Sequence, residues 1–168
     1  MKSSMYQSAV PTSIRSLTNL AAILEKAAAH ADSCKIEPAA FLNARLFPDM
    51  LPFTKQVQLA TDTATGGVAR IAGIEVPTFE HSETSFSELS ARVRRAVQFL
   101  DSIKPEQLDG AEEKTVSWQS RSSTKSMLGL PYVMHHLLPN VFFHVTTAYN
   151  ILRHNGVELG KMDYLGRS

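Results

Sequence analysis

Four stretches of this 168-residue chain repeat apolar side chains at the spacing of one helix face, and that pattern constrains the fold more than any other feature. In the first, residues 12–32, Ile14, Leu17, Ala21, Leu24, Ala28 and Ala31 follow at steps of three and four. Those steps place them on one side of a 3.6-residue helix. Leu20, Ile23 and Ala27 widen the stripe, as burial in a bundle requires. Pro11 precedes the segment, and Thr12 or Ser13 can cap its first turn. The second stretch, 53–72, keeps Phe53, Val57, Ala60, Ala64, Val68 and Ile71 in register. Its Thr- and Gly-rich middle lowers helix propensity by several tenths to about 1 kcal/mol per residue. Small side chains at Gly66 and Gly67 leave room for a close neighbour, and Gly73 suits a left-handed C-terminal cap.

In the third stretch, 85–103, Ser85 and Glu88 match a capping box, and Phe86, Leu89, Val93, Ala96, Leu100 and Ile103 form the stripe. Arg92, Arg94 and Arg95 read as a solvated outer face. The fourth helix lies within 131–154. Pro139 lacks an amide donor and crowds the carbonyl four residues back, so the helix kinks there or its straight part starts there. Asn155-Gly156 ends it. A short helix begins at Pro38, Pro48 and Pro52 bracket a turn, and 74–84 reads as a loop. Residues 115–119 and 124–128 read as a small hairpin or a long ordered loop around a Ser-rich tip. The expected fold is an all-α four-helix bundle, a single domain over 1–168, with a decorated crossover before the last helix. Its core is expected to hold Leu17, Leu24, Val57, Val93, Leu100, Phe143 and Ile151.

Composition removes several function classes. Lys and Arg number 17 against 16 Asp and Glu, for a net charge of +1. That balance offers no footprint for nucleic acid or an anionic membrane. The single Cys34 excludes an intramolecular disulfide framework and any multi-cysteine metal site. No apolar run approaches the roughly 18 residues of a bilayer span. The N-terminal MKSSMYQSAVPTSIRS lacks a signal-peptide core, so the expected location is cytoplasmic.

The densest polar constellation is His136, Asn140 and His144, spaced i, i+4, i+8 on one face of the last helix. Two histidines four apart can share a metal, but here the middle position is an amide. His136 and His144 are about 12 Å apart along the axis, too far to share one ion. Three readings stand: hydrogen-bonded core groups that set helix register, an altered metal site, or a catalytic histidine. A second constellation, Asn43, Arg45, Asp49, Gln56, Gln58 and Asp62, surrounds the start of the second long helix. Asp62 and His144 would meet if both point inward, and a carboxylate on one imidazole nitrogen would orient the ring; an exposed Asp62 is the alternative. His81, beside Glu80 and Glu83, reads as part of a solvated loop. Cys34 shows no neighbouring base in sequence.

The run from Leu138 to Gly156, LPNVFFHVTTAYNILRHNG, resembles an uncharacterised bacterial and fungal family of domains of unknown function. So do Ser16-Leu17-Thr18-Asn19-Leu20, Leu42-Asn43-Ala44-Arg45-Leu46, Pro48-Asp49-Met50 and Gln56-Val57-Gln58, so that the likeness spans roughly residues 5–166. That family is similar to the DinB/YfiT-like superfamily, four-helix bundles that are often dimeric. The superfamily includes nickel- or zinc-dependent hydrolases and thiol transferases that use mycothiol or bacillithiol. Its metal site takes one histidine from the second helix and a His-x-x-x-His pair from the last. Set on the common Leu-Arg-x-x-Gly ending, His144 takes the second position of that pair and Asn140 the first. The second helix holds no histidine, and Gln58 or Asp62 is nearest the expected place. With one of three ligands kept, no metal cofactor is expected.

Two functions follow. In one, a polar core pocket binds or transforms a small molecule. His144 acts as acid or base, Asp62 or Asp49 orients it, and Asn43, Arg45, Gln58, Asn140 and Tyr149 line the site. In the other, the chain is a homodimeric structural or interaction protein with a degenerate metal site. No basic recognition helix supports a DNA binder.

Overall fold

The structure, a computed structural model, describes residues 5–120 and 122–166. Residues 1–4 at the N-terminus, residue 121 in the Ser-rich tip and residues 167–168 lie outside the described residues. Four long helices carry the fold: α1 (Met5–Cys34), α3 (Phe53–Ala72), α4 (Phe86–Asp101) and α6 (Leu138–His154), with a short α2 (Pro38–Leu42) between the first two. α1 packs against α4 and α6, and α3 packs against the same two helices from the opposite corner. Gln56, near the start of α3, meets His144, whereas Gly67, near its end, meets Leu137. α3 therefore runs antiparallel to the last helix.

α1 begins seven residues before the predicted start and runs through Pro11. Pro11 is the seventh residue of the helix, past the first turn where a missing amide costs nothing, and its cost is offset by the burial of Met5, Ala9 and Val10 in the core. Ser13, predicted as a cap, instead donates its hydroxyl to the Ala9 carbonyl at 2.7 Å. α3 has the predicted limits. Gly73 closes it at φ 69°, in the left-handed region that a side chain would resist. Its threonines bond within the helix: Thr61 donates to the Gln58 carbonyl at 2.7 Å and Thr65 to the Thr61 carbonyl at 2.9 Å. At α4, Ser85 Oγ accepts from the Glu88 amide, but the Glu88 carboxylate reaches back to the Thr84 amide rather than to Ser85.

The chain is mostly helical but not purely so. β1 (Thr115–Ser120) and β2 (Ser123–Leu128) form an antiparallel hairpin with Trp118 opposite Lys125. Gly129 then opens α5 (Gly129–Tyr132), where a Cβ would stand 1.8 Å from the Ala111 carbonyl oxygen. From α5 the backbone continues through a π-helical turn, Val133–Leu137, directly into α6. The wide turn immediately before Pro139 resolves the clash that a regular helix would suffer there. A final short α7 (Lys161–Leu165) lies on α1, with Asn19 donating to the Tyr164 carbonyl.

Leu17, Leu24, Val57, Val93, Leu100 and Ile151 are all fully buried, as expected. Phe143 is not: it is 56% exposed, because α6 turns Val141, Val145, Ala148 and Leu152 inward and leaves Phe142 and Phe143 outside. Among the described residues no helix is long and apolar enough to cross a membrane.

Candidate functional site

His144 lies on the inward edge of α6, half-buried, facing the first turn of α3. Its Nδ1 is 2.8 Å from Gln56 Oε1, and the Gln56 amide Nε2 donates to the Leu51 carbonyl at 3.2 Å. With Nε2 of Gln56 committed as a donor, Oε1 must accept, so His144 carries its proton on Nδ1. Nε2 of the imidazole then keeps its lone pair and has no protein partner among the described residues. Burial pushes the His144 pKa down, favouring the neutral ring. The edge of the Phe143 ring closes one side at 5.3 Å. The result is an oriented imidazole whose neutral form is favoured and whose second nitrogen has no partner among the described residues.

The second-helix residue that holds His144 is thus Gln56, and neither Asp62 nor Asp49 touches it. Gln56 is three residues after Phe53 and four before Ala60, a spacing that puts it on the buried stripe. Asp49 is exposed in the turn before α3. Asn43 and Arg45 are also exposed: Asn43 donates to the Ala39 carbonyl at 3.0 Å and Arg45 lies 3.4 Å from the Pro48 carbonyl. Tyr149 projects toward the other side of α6, its hydroxyl 3.4 Å from the Leu159 carbonyl and its ring against Tyr164. Asn140 stays on the His144 face but turns back, its amide donating to the His136 carbonyl at 2.6 Å.

Asp62 and Gln58 belong to a separate network around Arg92. That side chain, expected on the solvated face, is fully buried. Arg92 Nε donates to Thr61 Oγ1 at 2.7 Å, and Nη1 donates to the Glu80 carbonyl at 2.7 Å and to Glu83 Oε1 at 2.8 Å. Nη2 donates to Asp62. The guanidinium also stacks on Phe79 at 5.2 Å. Gln58 donates to the other Glu83 oxygen at 2.7 Å, while its own buried Oε1 has no partner among the described residues. Burial opposes the charge on Glu83, yet the hydrogen bonds from Arg92 and Gln58 together hold its pKa below the ordinary value. His81 is exposed in its loop, as expected, but it is paired there: its Nε2 is 2.7 Å from Asp62 Oδ2 and its Nδ1 3.2 Å from Lys55 Nζ. Spacing held the signal for Arg92, which is three residues from Leu89 and four from Ala96. Nothing local marked the loop residues that meet it. Cys34 is exposed, with Sγ 4.0 Å from His30 Nδ1.

A metal of the kind the resemblance implies does not fit around His144. Gln56 is occupied at both ends of its amide, and the Asn140 nitrogen is spent on its own helix. One imidazole with neutral amides is a poor donor set for zinc, nickel or iron. Among the described residues no three His, Cys, Asp or Glu side chains gather at one point.

The family described as "Domain of unknown function (DUF1993)" matches residues 5–165. The crystal structure of a DinB family member protein from Shewanella denitrificans is similar over 97% of this chain and 92% of that one. The two share 39% sequence identity, with a TM-score of 0.91. No curated protein matches the chain.

Proposed function

The chain belongs to the DUF1993 family of DinB-like domains, and from that premise we propose that it binds or transforms a small molecule at His144, on the seam between α3 and α6. The observation that carries this reading is the Leu51–Gln56–His144 relay, which holds one tautomer and leaves Nε2 open. A neutral imidazole in that state can take a proton from a bound ligand. Orientation comes from Gln56, a neutral group, so the ring is positioned without the extra basicity a carboxylate partner would add. Asn43, Arg45, Asp49 and Tyr149 have no role at this nitrogen in the proposal. Asp62 and Gln58 serve the Arg92 network.

Thermal melts of the wild type and His144→Ala against a panel of small metabolites test the reading. A ligand-induced shift that disappears with His144, while the variant alone still melts cooperatively, supports it. A shift that survives the substitution unchanged removes His144 from the site.

The second reading, a non-catalytic homodimer, draws support from Phe142 and Phe143, which leave an apolar strip on α6 that a second copy would cover. Light scattering on the wild type and Phe143→Ser separates the states. In either case the place of work is taken as the cytoplasm.

A further inference from the structure

A cleft of about 1090 Å³ opens where the start of α1, the turn before β1 and α5 meet. It has room for a small molecule. Its floor is apolar: Leu130, Pro131 and Met134 line it, and Leu130 and Met134 are 46% and 50% exposed. Tyr132, Val133 and Leu137 of the same stretch turn into the core, so these three side chains are what α5 and the π turn leave outside. The turn before β1 adds Glu112 and Glu113 to the lining. Backbone bonds tie that turn to α5: the Gly129 amide donates to the Lys114 carbonyl at 2.9 Å, and the Leu130 amide to the Glu112 carbonyl at 3.2 Å. Gly129 permits the approach, since a Cβ there would strike the Ala111 carbonyl oxygen. The acidic turn and the apolar floor are therefore held side by side before any ligand arrives, which lowers the ordering cost of binding.

The charge of the lining has one sign. Neither glutamate has an ion-pair partner among the described residues, and no lysine or arginine among them lines the cleft. Two adjoining carboxylates repel an anion and attract a cation. Glu112, Glu113 and His135, which also lines the cleft, do not gather closely enough to hold a metal ion. An inorganic cation would in any case gain nothing from Leu130, Pro131 and Met134. A neutral apolar molecule would cover the floor and leave the carboxylates unused. An ammonium on a hydrocarbon body uses both: the head donates to the carboxylates and the body takes the floor out of water. Met134, unbranched and flexible, can adapt to the shape of that body.

We propose that this cleft is a binding site for an amphiphilic amine, its ammonium held by Glu112 and Glu113 and its hydrocarbon lying on Leu130, Pro131 and Met134. The cleft shares no residue with the His144 site, and neither reading depends on the other.

Methyl-labelled methionine makes the cleft visible by nuclear magnetic resonance, with the Met134 signal assigned by its loss in Met134→Leu. Hexylammonium, 1-hexanol and hexanoate are titrated separately at constant ionic strength. These probes share one hydrocarbon chain and differ in the charge of the head. The expected result is a saturable shift of the Met134 methyl with hexylammonium, binding about tenfold weaker with hexanol, and none with hexanoate. The Glu112→Gln/Glu113→Gln double variant should bring hexylammonium down to the level of hexanol. Hexanol binding unchanged in that variant shows that the apolar floor is intact. A Met134 signal indifferent to hexylammonium, hexanol or hexanoate binding as tightly as the amine, or full hexylammonium affinity in the double variant overturns the proposal.

Discussion

Arg92 Nη1 donates to the Glu83 carboxylate at 2.8 Å although none of the Arg92 side chain reaches solvent. A buried guanidinium is tolerable only while its partners stay in place, and here they come from α3 and from the loop before α4. Removing the cation leaves Glu83, whose side chain is 6% exposed, without its compensating charge. Arg92→Met should therefore cost about 3–5 kcal/mol. Asp62 is 32% exposed, and water screens its half of the network, so Asp62→Asn should cost under about 1 kcal/mol. Urea denaturation of the two variants checks the order. Equal losses would mean that the pairing does not govern stability here.

Glu83 also sets a pH dependence. Its folded pKa lies below the unfolded one, so the unfolded chain binds the proton more readily. The stability from this group is complete above the ordinary glutamate range, about pH 4.5, and is lost as pH falls through the lowered folded value. Glu83→Gln should flatten that part of the stability curve. Denaturation midpoints between pH 3 and 6 measure it. A Glu83→Gln curve that falls as steeply as the wild type would assign the acid loss to other carboxylates.

Much of the architecture was legible because each long helix has a stripe and a stop. α3 is the clearest case: Pro52 and Gly73 flank it, and its limits came out as predicted. The start of α1 was hidden by Pro11, since no sequence rule says how much burial at Met5, Ala9 and Val10 offsets a proline. Phe143 was misplaced because it adjoins the inner stripe without belonging to it. The sites were less legible for a physical reason. Arg92 and Gln56 sit at core spacing, and only their polar chemistry argued against burial. Their partners, Glu83 and the Leu51 carbonyl, are loop groups brought in by tertiary packing. Periodicity carries no information about such contacts.

Gly67 and Leu137 test the packing of α3 on the π turn. A Cβ at position 67 would stand 2.4 Å from Leu137 Cδ1, so the Leu137 side chain or the helix that carries it must shift. The obstacle is the end of a flexible side chain, and overpacking of this kind costs about 1–3 kcal/mol. Gly67→Ala should lower the melting temperature, and adding Leu137→Val should restore part of it. A neutral Gly67→Ala would show that the seam is loosely packed. Gly129→Ala should be worse, because its Cβ meets a backbone oxygen, and no side-chain exchange at Ala111 should rescue it.

Ligand counting at His144 leads to an analytical expectation. One imidazole and two committed amides do not compete with water for a divalent transition metal. Purified protein should carry well under one equivalent of zinc, nickel or iron. Elemental analysis that finds a stoichiometric metal, lost in His144→Ala, would mean that Gln56 and Asn140 rearrange to admit it.

The tautomer of His144 is the most direct test of the proposed site. Gln56 Oε1 accepts from Nδ1, so nitrogen-15 shifts at pH 7.5 should report a protonated Nδ1 and a bare Nε2. Burial lowers the folded pKa below that of the unfolded chain, which then binds the extra proton more readily. The contribution of His144 to stability is therefore complete above about pH 6.5 and is lost as pH falls toward the folded value. The carbon-bound ring protons should titrate with a midpoint under 6.5. Gln56→Glu places an anion at Nδ1 and should raise that midpoint, whereas Gln56→Leu should leave the ring free to exchange tautomers. A protonated Nε2 in the wild type, or a midpoint indifferent to Gln56→Glu, would break the link from Leu51 through Gln56 to His144, and the case for a preorganised base would fall with it.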